Sequence, residues 1–186
     1  MRKGRADADV ESAKAVAGVD LDGTGNIDLS SGSGFLDHML HAFSRTGQLD
    51  LEAEAPGSYW GTIALGKALG MAMGGALGDR SGIRRYGFAS VPMDEALAQV
   101  SLDFSGRSYL VFKGELFGDL IGDLEAQRVK VFLESLSVGG KLTLHVKFYG
   151  ENDHHMVESV FKALGLAVRE AVSRDGSGVP STKGVI

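Results

Sequence analysis

The chain contains no cysteine. Disulfides and thiolate metal sites are excluded, and cysteine usage carries no information on redox compartment. Positive charge is not in excess either. Nineteen Lys+Arg against 24 Asp+Glu leave a formal net charge of -5, which argues against a nonspecific nucleic-acid binder. Local arginines can still meet an anionic substrate. No apolar run approaches the ~18 residues of a membrane-spanning helix, and Met1-Arg2-Lys3 is not followed by the apolar core of a signal peptide. A cytoplasmic location is expected, with neither membrane nor nucleic acid as partner. What is present is ordinary for a soluble globular protein: 44% apolar and 23% charged residues. A chain of 186 residues can bury one good core, or two small halves fused into one. Its 27 glycines are about twice the usual share, implying many tight turns or loosened helices.

The most informative stretch is Asn152-Asp153-His154-His155-Met156-Val157-Glu158. It opens an amphipathic run, Ser159 to Glu170, and its spacing puts both imidazoles and the Glu158 carboxylate in one neighbourhood of a helix start. That is half a shell for Mn, Fe or Zn; the alternative is a solvated polar first turn.

The chain also repeats itself. Val19-Asp20-Leu21-Asp22 is echoed by Val100-Ser101-Leu102-Asp103, each an alternating strand ending in a tight turn. Helices are expected at Phe35 to Arg45 and Gln127 to Ser137. Each leads through a glycine, Gly47 or Gly140, into a strand: Leu49 to Ala55 and Leu142 to Tyr149. Lys67-Ala68-Leu69-Gly70 returns as Lys162-Ala163-Leu164-Gly165. The offset is 93 residues from Gly47 to Gly140 and 95 from Lys67 to Lys162. Two similar strand-helix-strand-helix units follow, residues 1–88 and 89–186, the second including a turn-rich, extended tail. Neither unit closes a core alone. The expected fold is α+β, with two fused halves forming one structural domain. Each half is a mostly antiparallel sheet with helices on one face.

Several segments in order resemble imidazoleglycerol-phosphate dehydratase. They are Leu21-Asp22-Gly23-Thr24-Gly25, Gly34-Phe35-Leu36-Asp37-His38-Met39-Leu40, Gly82-Ile83-Arg84-Arg85-Tyr86-Gly87, Pro92-Met93-Asp94-Glu95-Ala96-Leu97, Leu102-Asp103-Phe104-Ser105-Gly106-Arg107, the His154-His155 segment and Pro180-Ser181-Thr182-Lys183-Gly184. The resemblance implies a ribosomal protein S5 domain 2-like fold and a trimer-based, octahedral homo-oligomer with sites at subunit interfaces. It also implies a hydro-lyase of histidine biosynthesis that converts imidazole glycerol phosphate into imidazole acetol phosphate with two manganese ions per site. Those ions would act as Lewis acids while a positioned carboxylate transfers the proton. On this reading His38, His154, His155 and Glu158 are metal ligands, and Glu158 and His155 are the catalytic groups. Arg85, Arg107, Lys162, Ser181 and Lys183 bind the phosphorylated imidazole substrate, chemistry that suits arginine and lysine.

The chain departs from the family pattern in its first half. The family carries a His-His-x-x-Glu motif in each half, and the 95-residue offset places Tyr59, Trp60 and Ile63 where the first copy belongs. The preceding loop is also about five residues short of the family pattern. His38 is present, but its counterpart at an offset of 93 is Val131. Ser12, beside Glu11, and Ala42 stand where the resemblance implies Glu and Gln. His41 and His145 are expected at the surface, and Tyr59 and Trp60 either fill the vacated pocket or cap the shortened loop. Two readings follow: a dehydratase, or a catalytically impaired relative serving as a structural or phosphate-ligand-binding subunit.

Overall fold

The computed structural model describes residues 1–174 together with Gly176 and Gly178. The first half comprises β1 (Lys3–Val10), β2 (Ala13–Asp20), β3 (Ile27–Ser30), α1 (Gly34–Gly47), β4 (Asp50–Glu54) and α2 (Tyr59–Leu77). The second comprises β5 (Tyr86–Met93), β6 (Ala96–Asp103), β7 (Tyr109–Lys113), β8 (Leu120–Ile121), β9 (Leu124–Glu125), α3 (Gln127–Gly140), β10 (Thr143–Tyr149) and α4 (Asp153–Val172). The sheet orders match, β1-β2-β4-β3 and β5-β6-β10-β7. In both, three neighbours pair antiparallel, while the last strand, β3 or β7, joins in parallel.

Alternation fixes which face of each sheet is covered. Ala13, Ala15, Ala17 and Val19 of β2, and Ala96, Ala98, Val100 and Leu102 of β6, are all buried, a period of two that sends intervening residues outward. Against these faces lie α2 in the first half and α4 in the second. Each helix also packs across the molecule, α2 on α3 and α4 on α1, so a single apolar cluster draws on both halves.

The cross-half helix pairs touch backbone to backbone, through glycine. A Cβ on Gly70 would lie 2.4 Å from the Leu136 carbonyl oxygen and from the Gly140 nitrogen. One on Gly165 would lie 2.4 Å from the Phe43 carbonyl oxygen and 2.9 Å from the Gly47 nitrogen. Gly70 and Gly165 are equivalent at the 95-residue offset, and Leu136 and Phe43 at the 93-residue offset. The two helix pairs are thus copies of one packing arrangement. Both short helices also end alike, with left-handed Gln48 (φ 51°) and Lys141 (φ 47°) after their final glycine.

Helices α1 and α3 and strands β2, β4, β6 and β10 lie where the repeat places them. The expected strand-helix-strand-helix grammar is too sparse, however, because β1, β3, β5, β7 and the β8–β9 hairpin are additional. Strands β1 and β3 carry little apolar alternation: only Ala8 of β1 is buried, and no residue of β3 is.

The glycine contacts predict opposite signs for two similar substitutions in α2. Gly70→Ala should cost about 1–3 kcal/mol from overpacking and lower the Tm by roughly 2–4 °C per kcal/mol. Gly74→Ala, which meets nothing within 4 Å, should stabilise by up to about 1 kcal/mol through helix propensity. Thermal denaturation reads both, and shifts of the same sign would refute this packing.

A candidate metal centre where two helices of different halves meet

The close approach of α1 and α4 determines what stands at their first turns. Ser33 caps α1, its hydroxyl accepting from the Leu36 N–H. Asn152 caps α4, its side-chain oxygen accepting from the N–H groups of His154 and His155. Two turns before the Gly47–Gly165 contact the helices bring His38 to Glu158. His38 Nε2 lies 3.2 Å and His154 Nε2 3.1 Å from the same Glu158 oxygen, Oε2. The other oxygen, Oε1, pairs with Lys162 Nζ at 2.7 Å. Edge contact with the Phe35 ring, centroids 5.2 Å apart, orients His154.

Glu158 is buried, whereas His38 is exposed and His154 half-buried. Burial pushes the Glu158 carboxyl up, but Lys162 and the two imidazoles outweigh it and hold the group below its ordinary value. It is therefore a carboxylate at neutral pH. One donor atom from each of His38, His154 and Glu158 lies within 4.8 Å of the others. Two imidazole nitrogens and one anionic oxygen converging at a partly open position form a shell suited to a first-row divalent ion.

His155 does not join this cluster. Its Nδ1 meets Glu95 Oε2 at 2.9 Å, and its Nε2 lies 3.8 Å from Asp94. Glu95 uses its other oxygen to accept from the Glu151 and Asn152 N–H groups, so one carboxylate anchors both the imidazole and the approach to α4. The hydrogen bond to His155 lowers the Glu95 carboxyl to about 2 and, reciprocally, raises the imidazole. Carboxylate-oriented imidazole is a familiar proton-transfer arrangement. Glu95 was visible only as part of a family-like segment, because sequence does not reveal that the β5–β6 turn meets the start of α4.

The remaining site candidates are dispersed. Lys162 lies beside the triad. Arg85 is bidentate to Asp103, Nε–Oδ1 2.6 Å and Nη2–Oδ2 3.0 Å, with its guanidinium 4.8 Å from the Tyr86 ring. Arg107 is exposed, and its N–H donates to Ser105 Oγ. Asp103 ends the strand that follows Glu95, eight residues on, or roughly 25 Å at the usual rise. Within one chain, Arg85 and Arg107 thus stand at the opposite end of the second sheet from His155. Ser181 and Lys183 lie outside the described residues. His41 and His145 are exposed.

A further carboxylate sets the start of α1 from the other half. Asp123, in the β8–β9 turn, accepts from Ser33 Oγ at 2.7 Å and from the N–H groups of Gly34 and Phe35 at 2.7 and 2.9 Å. Asp153, at the start of α4, accepts from the Phe117 and Gly118 N–H groups, which lie in the same insertion between β7 and α3 as the β8–β9 hairpin. The insertion absent from the first half therefore braces both helices that carry the triad.

Fold and site together define a two-halved α+β protein with a His–His–Glu centre at the seam between its halves. The imidazoleglycerol-phosphate dehydratase family model matches residues 31–168. The chain is 44% identical over 177 residues to the imidazoleglycerol-phosphate dehydratase of Methanosarcina mazei, covering 90% of this chain and 91% of that protein. It is 46% identical over 176 residues to that of Clostridium botulinum strain Hall, covering 90% of each. The crystal structure of imidazoleglycerol-phosphate dehydratase from Staphylococcus aureus superposes with a TM-score of 0.84 at 30% identity, over 93% of this chain and 99% of that one. The chain belongs to the imidazoleglycerol-phosphate dehydratase family, whose members are hydro-lyases of histidine biosynthesis.

Asp123→Asn tests the bracing. Its hydrogen bonds, from the Phe35 N–H first, then Ser33 and Gly34, hold the Asp123 carboxyl below its ordinary value. A depressed carboxyl contributes stability that is present above its unfolded pKa of about 3.9 and lost as pH falls through the folded value. The variant should lose about 1 kcal/mol near neutrality, the usual worth of a helix cap. The gap between parent and variant melts should narrow as pH is lowered from 7 to 3. A constant gap across that range would count against the assignment.

Proposed function

We propose that this chain removes water from imidazole glycerol phosphate to give imidazole acetol phosphate, in the cytoplasm, at a metal-dependent site assembled between copies of the chain. The observation that carries this reading is the convergence of His38, His154 and Glu158 from α1 and α4, in a chain of this family. Manganese, the ion implied by the family resemblance, suits a shell of two imidazoles and a carboxylate. When bound, it would supply Lewis-acid stabilisation of charge developing on the substrate's imidazole ring.

The chain's own residues would divide the remaining work. Lys162 keeps Glu158 anionic and fixes its free rotation through Oε1. Glu95 orients His155 through Nδ1, leaving Nε2, 3.8 Å from the exposed Asp94, to take or give a proton. Arg107 is exposed and available to a phosphate, while Arg85 is held by Asp103 in a defined pose. The separation of these arginines from the triad supports a site completed by a second copy, within the trimer-based octahedral homo-oligomer that the resemblance implies. The single apolar cluster spanning both halves supports treating residues 1–88 and 89–186 as one structural domain.

A second reading is favoured by Tyr59, Trp60 and Ile63 in the first half and Val131 in the second, which stand where the resemblance implies further metal ligands: a catalytically impaired relative that binds phosphate ligands or serves as a structural subunit. Direct assay of imidazole acetol phosphate formation separates the two. The dehydratase reading expects manganese-dependent turnover that falls at least about a hundredfold in Glu158→Gln. Arg107→Ala should raise KM more than it lowers kcat, because it removes binding common to ground and transition states. No turnover by the parent in excess manganese, with a Tm that still rises on adding substrate, would select the impaired reading.

A further inference from the structure

The α2–α3 pair is the structural copy of the α1–α4 pair. The position of His154 is therefore held by Tyr59, that of Glu158 by Ile63, that of His38 by Val131 and that of Lys162 by Lys67. These four residues line a groove of about 420 Å³ on the surface of α2 and α3. The equivalent of Phe35, which lies against His154 in the intact pair, is Arg128.

Arg128 is only 5% exposed, an unusual placement for a guanidinium. Its Nε and Nη2 donate to Thr62 Oγ1 at 2.8 and 2.6 Å, and Nη2 also donates to the Ser58 carbonyl at 2.9 Å. Among the described residues these partners are neutral oxygens, one at the N-cap of α2 and one on Thr62 just inside the helix. A buried charge normally demands a partner of opposite sign. Here the guanidinium ties α3 to the start of α2, its position on α3 one turn before Val131, the counterpart of His38.

We infer that Arg128 has taken the place of a second metal ion: it closes the α2–α3 pair as a fixed cation, and the chain holds one metal ion rather than the family's two. Ligand loss alone would leave a weak site. Ile63 supplies no charge where Glu158 offsets Lys162 in the intact pair, so Lys67 and the buried Arg128 outnumber Glu134, the one carboxylate lining the groove, and leave the position repulsive to a divalent cation. This inference rests on the reading above that His38, His154 and Glu158 hold an ion, but the two can fail separately.

The test is the manganese content of the full-length protein after equilibrium dialysis, read by elemental analysis, with thermal melts alongside. The parent should hold one ion per chain, and His38→Ala none. Tyr59→His, Ile63→Glu and Val131→His together should leave the count at one while Arg128 remains. Adding Arg128→Leu to those three should raise it to two. Arg128→Met alone should keep the parent's count and lower its Tm by several degrees. Two ions in the parent, two in the triple variant, or no gain in a folded quadruple variant would overturn the inference. So would an unchanged Tm in Arg128→Met. A parent holding no ion would defeat the reading of the His38 triad, and the quadruple variant would then decide for Arg128 by gaining one ion or none.

Discussion

Everything at the site depends on two helices from different halves meeting at a glycine, where no Cβ holds their backbones apart. At Gly165, α4 meets the backbone of α1 so closely that one methyl group would collide with the Phe43 carbonyl. Thr46 adds a side-chain hydrogen bond to the Lys162 carbonyl across the same contact. With the axes this near, His38 of the first half reaches the Glu158 carboxylate of the second. Helices held apart by larger side chains would not bring those groups within hydrogen-bond distance. The glycine content thus has a specific physical use: several glycines mark where helix backbones, or helix and strand, approach. Gly4 and Gly87 do the same for α2 and α4 against their sheets, each facing the carbonyl of an alanine, Ala72 or Ala167.

A scaffold that places the same helix contact twice provides two equivalent positions for chemistry, and this chain has treated them differently. One pair retains two imidazoles and a lysine gathered around one carboxylate. The other has Tyr59, Ile63 and Val131 in a groove with Lys67 and Glu134, and a buried arginine one turn earlier on α3. The surrounding packing is nevertheless retained, including the small-residue contacts and the left-handed helix ends. Packing of the scaffold and chemistry of the site are therefore separable, as expected when function resides in residues grafted onto a fold.

The sequence displayed much of this arrangement in its spacing. The two offsets, 93 for the short helices and 95 for the long ones, are those that the glycine contacts realise in space, and they correctly put Tyr59 and Ile63 at the start of α2. The strands β1 and β3 were illegible because they bury almost nothing, so alternation had no apolar residues through which to show itself. Glu95, Asp123 and Arg128 were illegible for another reason. Each acts across 60 or more residues on a partner set by topology: His155, the start of α1 and the start of α2. No local pattern encodes such pairings. The same limit explains why Arg85 and Arg107 could be grouped with the triad on paper while the second sheet holds them at its far end.

The account stands on the claim that the α1–α4 backbone contact builds the His38–His154–Glu158 site. Calorimetric titration of manganese into Gly165→Ala and Gly70→Ala tests it directly, since each substitution adds one methyl group at an equivalent helix contact. Gly165→Ala should weaken binding at least about tenfold, as expected when the support of a ligand shell shifts. Gly70→Ala, disturbing only the α2–α3 pair, should keep the parent's affinity despite its lower Tm. Equal weakening in both variants, or parental affinity in Gly165→Ala, would contradict the claim.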